Sequence, residues 1–126
     1  MCSINGIIDF NNISPQLLRK KIRTMLKITR HRGPDESDII VLDNIALGVN
    51  RLAIIAPKEH STIQTIRGGR YALFNGEIVN HRDLRRYLGY KLPNRNSDSA
   101  IILPLFEELG ENFIRKLAGM FSIAIY

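Results

Sequence analysis

The single cysteine of this 126-residue chain is its second residue. Removal of the methionine before it would leave Cys2 with a free α-amino group. One residue would then carry a thiol nucleophile and an amine able to take and return its proton. Asn75-Gly76 offers a side-chain amide beside an unhindered backbone N–H, the two donors that a developing oxyanion needs. Arg51 has the planar fork that suits a carboxylate, and Glu77 and Asp98 are acceptors that could hold an ammonium group. Singly, these residues read as a small buried hydrophobe, a turn and surface charges. Together they make a receptor for a substrate that carries both an α-carboxylate and an α-ammonium.

Elements must bring these positions together. Ile4 to Phe10 reads as a buried strand that would hold the terminus still. Ser14-Pro15 starts a helix, with serine as N-cap and proline at the first helical position, and the helix runs to about Thr29. The turn Arg30 to Asp35 follows, because Gly33-Pro34 cannot continue a helix. Ser37 to Leu42 and Ile45 to Ile55 flank Asp43-Asn44 and read as a hairpin, with Arg51 toward the end of its second strand. Residues 56–66 read as a loop and Gly68-Gly69 as a turn. Tyr71 to Phe74 is then a short buried strand that delivers Asn75, Gly76 and Glu77 at its end. Asn80 caps a helix closed by Gly89, and Ser97 or Asp98 caps another through Ile101, Ile102, Leu105, Phe106 and Leu109 to Gly110, with Pro104 bending it. A short helix from Asn112 to Leu117 precedes a strand-like ending, Met120 to Tyr126.

Composition narrows the class. With 44% hydrophobic residues the chain supports one ordinary core, and a lone cysteine excludes an internal disulfide. No apolar run approaches the roughly 20 residues of a membrane span, and the N-terminus lacks the pattern of a leader, so a cytoplasmic protein without a membrane partner is expected. The net charge is +6, and Arg19, Lys20, Lys21, Arg23, Lys27, Arg30 and Arg32 are concentrated in one stretch. They alternate with Leu18, Ile22, Met25 and Leu26 at helical spacing, as on a solvated helix face. No aromatic stacking set or zinc-finger pattern accompanies them, so no nucleic-acid partner is expected.

In order along the chain, Met1-Cys2-Ser3-Ile4-Asn5-Gly6, His31-Arg32-Gly33-Pro34-Asp35, Arg51-Leu52-Ala53-Ile54-Ile55, Phe74-Asn75-Gly76-Glu77-Ile78, Ser97-Asp98 and Gly119-Met120-Phe121 together resemble a known family. It is the class II, or N-terminal nucleophile, glutamine amidotransferases, and within it the glutaminase domain of asparagine synthetase. The resemblance implies an α+β fold of the αββα sandwich type, here incomplete at the C-terminus, with residues 1–126 forming a partial amidotransferase domain and no synthetase domain. It implies that Cys2 attacks the side-chain amide of L-glutamine to give a γ-glutamyl thioester and ammonia, with Asn75 and Gly76 as the oxyanion hole. It further implies that Arg51 grips the substrate carboxylate, that Glu77 and Asp98 receive its ammonium, and that Asn75 and the backbone around Ile54 and Ile55 line the pocket. No cofactor is implied in this chain, since ATP and Mg belong to a separate synthetase domain or partner. The implied partner is a synthetase subunit, or a second copy covering an open sandwich face. Ser3 stands where the family carries glycine beside the nucleophile. The second reading that the sequence allows is an amidotransferase-like interaction module, or a truncated gene product, that keeps these residues without the activity.

Overall fold

The computed structural model of the chain describes residues 2–53, 63–66, 68–89 and 97–126. Its elements run β1 (Ser3–Ile8), α1 (Pro15–Thr29), β2 (Glu36–Leu42), β3 (Ile45–Arg51), β4 (Gln64–Ile66), β5 (Arg70–Ile78), α2 (His81–Leu88), α3 (Ile102–Leu109) and β6 (Gly119–Ile125). Short 3-10 turns span Arg30–Arg32, Asp98–Ile101 and Gly110–Lys116. The strands form two antiparallel sheets, β1-β3-β2 and β4-β5-β6.

The two-residue alternation of β3 decides how the layers stack. Ala46 packs against Leu18 and Ile22 of α1, whereas Ile45, Leu47 and Val49 pack against Leu73 of the other sheet and Ile63 just before β4. Both faces of β3 are therefore covered, and its residues Ile45 to Asn50 are all buried. On β5 the same alternation sends Tyr71 and Leu73 toward the first sheet. Ala72 and Ile78 instead join Leu84 and Leu88 of α2 and Ile102 and Leu105 of α3. The order through the molecule is helix, sheet, sheet, helices: the four αββα layers of an α+β sandwich.

Helix α1 forms as its sequence dictates. Ser14 Oγ accepts from the Leu17 N–H at 3.3 Å, Pro15 opens the helix, and Leu18, Ile22 and Leu26 make one buried stripe. At about 1.5–3 kcal/mol for each fully buried apolar side chain, that stripe suffices to hold the helix on the sheet. Lys20, Arg23 and Lys27 lie on the exposed side. Among the described residues no helix is long and apolar enough to cross a membrane.

The structure corrects the sequence expectations in five places. Gln64–Ile66 lies in the stretch expected to be a loop, yet it pairs with Arg70–Ala72 as a short edge strand. β5 continues through Ile78, because β6 pairs with it as far as Ile78↔Gly119, so Asn75 and Gly76 stand within a strand and not at its end. Asn80 does not cap α2 with its side chain. Its Nδ2 donates to Lys116 O at 2.9 Å and its Oδ1 accepts from the Ala118 N–H at 2.9 Å, tying the approach to β6. Pro104 does not bend its helix, because a 3-10 turn over Asp98–Ile101 delays the start of α3 and leaves proline in the first turn, where no intrahelical N–H is needed. The expected helix from Asn112 to Leu117 is likewise a 3-10 turn, Gly110–Lys116.

Candidate active site

The register of the first sheet brings two of the expected residues side by side. β1 pairs with β3 as Ser3↔Asn50, and one further step along that register sets Cys2 opposite Arg51. By strand alternation Cys2 shares the face of Ile4, and Arg51 shares the face of Val49, both of which pack toward the second sheet. The Cys2 thiol is half-buried and lies against the next peptide of the partner segment: the Leu52 N–H donates to Sγ at 3.4 Å, and Sγ is 3.8 Å from Leu52 O. Arg32 Nε donates to Cys2 O at 3.3 Å.

The segment Arg32-Gly33-Pro34-Asp35 clamps this corner. A Cβ on Gly33 would lie 2.5 Å from the backbone C and O of Asn50 and 2.7 Å from the Arg51 N, so only glycine permits the approach to β3. Held there, the Asp35 N–H donates to Arg51 O at 3.1 Å, and Asp35 Oδ2 accepts from the Ala53 N–H at 2.8 Å. The turn thus fixes the backbone on both sides of Leu52, whose amide contacts the thiol. Ser3, in the family's glycine position, is extended strand and does not have a positive φ.

Arg51 is already paired. Its Nη1 lies 3.1 Å from Glu36 Oε2, with the side chains 13% and 27% exposed. Glu36 and Arg51 are directly opposed in the β2–β3 register. A guanidinium has five donors in a fixed fork, and this contact orients the side chain. Glu36 is absent from the expectations drawn from sequence. A two-residue turn at Asp43-Asn44 pairs Leu42 with Ile45, and counting outward from it pairs Glu36 with Arg51, so the signal was present.

The second sheet supplies the facing residues. Asn75 has the strand parity of Leu73 and so faces the first sheet, and its Oδ1 is buried without a hydrogen-bond partner among the described residues. An unpaired buried amide costs about 1–3 kcal/mol, a cost that a bound polar ligand would remove. At Gly76 φ is +140°, and a Cβ would fall 2.1 Å from Met120 O, so no other residue fits where β5 twists along β6. The N–H groups of Tyr71 and Val79 donate to Tyr126 and Ala118 on the β6 side. The ladder alternation therefore turns the amides of Phe74, Gly76 and Ile78 the other way, beyond the pairing of β4 with Arg70–Ala72 and without a strand partner among the described residues.

Asp98 lies on that side. It is buried at 5% exposure, its Oδ2 accepts from the Ile78 N–H at 3.0 Å, and its Oδ1 accepts from the Ser99 N–H at 2.9 Å. Each oxygen keeps a further lone pair for a cationic group. Glu77 is exposed one residue before that contact. Cys2, Arg51 and Asn75 therefore face the space between the sheets, and Asp98 and Glu77 lie at the end of β5. Ile54 and Ile55 lie outside the described residues.

Comparison with known proteins adds to this geometry. Residues 1–126 match a family model described as a glutamine amidotransferase domain. The chain is similar to asparagine synthetase B (glutamine-hydrolyzing) of Escherichia coli, 38% identical over 128 residues, covering 100% of this chain and 23% of that protein. It is 36% identical over 126 residues to the glutamine-hydrolyzing asparagine synthetase of Triphysaria versicolor, covering 99% of the chain and 21% of that protein. A putative glutamine-hydrolyzing asparagine synthetase of Methanocaldococcus jannaschii is 29% identical over 146 residues, covering 100% of this chain and 28% of that protein. The chain thus spans roughly a quarter or less of the length of most of these relatives, and little more of the last.

Proposed function

Because the chain belongs to the glutamine amidotransferase domain family, we propose that it hydrolyses L-glutamine through a cysteine thioester and releases ammonia for amide synthesis. One observation carries this reading above the others. The register sets Cys2 beside Arg51 on the face of the first sheet that meets the Asn75-bearing face of β5. With Met1 removed, the Cys2 amine takes the thiol proton as sulfur attacks the side-chain amide carbon of glutamine. The tetrahedral oxyanion forms against the Asn75 amide and the Gly76 N–H. Turned about its last side-chain torsion, the Asn75 amide presents an N–H where its unpaired oxygen now lies. The C–N bond then breaks, and the amine returns its proton to the departing nitrogen, giving ammonia and a γ-glutamyl thioester. Water adds to the thioester with its proton taken by the same amine, the C–S bond breaks, and glutamate leaves with the thiol restored. Arg51 holds the α-carboxylate, and Asp98 with Glu77 the α-ammonium, so the carbonyl is presented to sulfur in one orientation. These steps use only groups of this chain, its substrate and water. The acceptor of the ammonia, and the ATP and Mg needed to activate it, belong in this proposal to a synthetase domain or subunit.

The test is ammonia release from glutamine by purified chain whose mass shows that Met1 is gone, beside Cys2→Ala. Turnover by the wild type and none by Cys2→Ala, with both equally folded, is expected. Equal turnover in the two would remove Cys2 from the mechanism. Silence of a mass-verified wild type, alone and with a synthetase subunit, would establish the inactive interaction module instead.

A further inference from the structure

The interface between α1 and the first sheet is apolar along most of its length, where Leu18, Ile22 and Ala46 pack with Ile7 and Ile39. At the end nearest Cys2 it becomes polar. Ser3, Asn5 and Asn50 are buried there, at 5%, 9% and 0% exposure, around the hydroxyl of Thr29. Burying so many polar groups destabilises a fold unless each finds a partner.

Here the partners converge on one atom. Thr29 Oγ1 donates to Met25 O at 3.0 Å and accepts from Ser3 Oγ at 3.0 Å and Asn50 Nδ2 at 3.0 Å, with Asn5 Nδ2 at 3.3 Å. A hydroxyl has one hydrogen and two lone pairs, so its capacity is fully used. Asn50 extends the cluster. Its Nδ2 also donates to Leu26 O at 2.8 Å, a carbonyl of the last turn that the helix cannot satisfy itself, and its Oδ1 accepts from Ser37 Oγ at 2.7 Å. The end of α1 is thereby joined to β1 and β3 directly and to β2 through Asn50.

Ser3 points to this cluster on the α1 side of the sheet, and the adjacent Cys2 points to the other side. The tether at Ser3 is thus one residue from the nucleophile. We propose that Thr29 is a positioning residue: its hydroxyl fixes the start of β1 and, through it, the Cys2 thiol against the Leu52 amide. The inference deepens the glutaminase reading and rests on it for its kinetic readout. Its second readout, the accessibility of the thiol, does not depend on that reading.

Thr29→Val keeps the shape of the side chain and removes the hydroxyl, leaving the Ser3 hydroxyl hydrogen and one Asn50 hydrogen without their acceptor. Thr29→Ser keeps the hydroxyl. Both are made in the whole chain with Met1 removed and are compared where circular dichroism shows them folded. A displacement of about 1 Å at a reacting group costs up to about 10²-fold in rate. Thr29→Val is therefore expected to lose about tenfold or more in kcat with KM little changed, while Thr29→Ser recovers most of it. Alkylation of Cys2 by iodoacetamide should run several-fold faster in Thr29→Val, as the strand start loosens, and at the wild-type rate in Thr29→Ser. Wild-type kcat and alkylation in Thr29→Val, or equal impairment of the valine and serine variants, would overturn the proposal. If the wild type hydrolyses no glutamine, the glutaminase reading fails and alkylation alone decides the positioning role, equal rates in wild type and Thr29→Val refuting it. Should Thr29→Val not fold, Ser3→Ala removes only the donor next to the nucleophile. It must then show faster alkylation than the wild type for the proposal to stand.

Discussion

Gly33→Ala adds one methyl where the backbone, at φ −149°, accepts any residue, so its cost is purely steric. The new Cβ would meet the backbone C and O of Asn50 at 2.5 Å and the Arg51 N at 2.7 Å. These atoms belong to the central strand of a sheet, bonded along both edges, and they cannot yield. Ordinary carbon contacts lie near 3.5–4.0 Å, so the turn itself must withdraw by about 1 Å. Three hydrogen bonds are then at stake: the Asp35 N–H to Arg51 O, the Ala53 N–H to Asp35 Oδ2, and Arg32 Nε to Cys2 O. A neutral hydrogen bond contributes about 0.5–1.5 kcal/mol and one to a charged group about 1.5–3 kcal/mol. Asp35 is exposed and regains water when released, which puts the net loss at about 2–4 kcal/mol. A domain of this size has about 5–15 kcal/mol in all, so the variant still folds. Urea unfolding reads the loss as a lower midpoint at unchanged slope. The double variant with Asp35→Ala is the sharper control. Gly33→Ala already breaks the aspartate contacts, so the two losses should add to much less than their sum. A loss under about 1 kcal/mol for Gly33→Ala, or full additivity with Asp35→Ala, would refute the clamp, because the steric cost and its three bonds could not then be linked.

Two further substitutions separate binding from chemistry. Arg51→Ala removes a charge-assisted contact to the substrate carboxylate worth about 1.5–3 kcal/mol, so KM for glutamine should rise roughly 10- to 150-fold while kcat moves little, and a change confined to kcat would dismiss that role. Asn75→Ala should lower kcat by about 10²- to 10³-fold, the usual cost of one oxyanion donor, and should leave the fold intact because the Asn75 oxygen has no partner to lose among the described residues; a large loss of stability with normal kcat would contradict it.

The parts of the fold legible in the sequence were those whose signal is local. Ser14-Pro15 marks the start of α1, and the stripe Leu18, Ile22, Leu26 gives its buried face. Asp43-Asn44 marks the hairpin, and Gly89 and Gly110 close their helices. What escaped depended on a partner supplied by another segment and not on local pattern. Gln64–Ile66 is a strand only because Arg70–Ala72 lies beside it, and three residues are too few to show a period. Asn80 looked like a cap because Asn is a good one, but Lys116 and Ala118, far along the chain, compete for its amide and win. Thr29 carried no signal at all, since a threonine at a helix end reads as ordinary surface until β1 and β3 deliver Ser3 and Asn50 to it.

Moving Asn75-Gly76 from a strand end to a strand interior strengthens its case as a pair of donors. At a free end both groups would be positioned by a mobile turn, whereas along β5 they are held by the register Asn75↔Ser122 and Gly76↔Phe121. An interior amide is ordinarily consumed by the neighbouring strand and could serve no substrate. β5 escapes that constraint among the described residues, where β4 pairs only with Arg70–Ala72 and no described strand lies beyond it on the side turned away from β6. Asp98 has taken the Ile78 amide on that edge, which shows that a carboxylate oxygen can reach it. The shortness of β4, the feature least visible in the sequence, therefore leaves the Gly76 N–H without a strand partner among the described residues, on the sheet whose Asn75 face is turned toward the strands of Cys2 and Arg51.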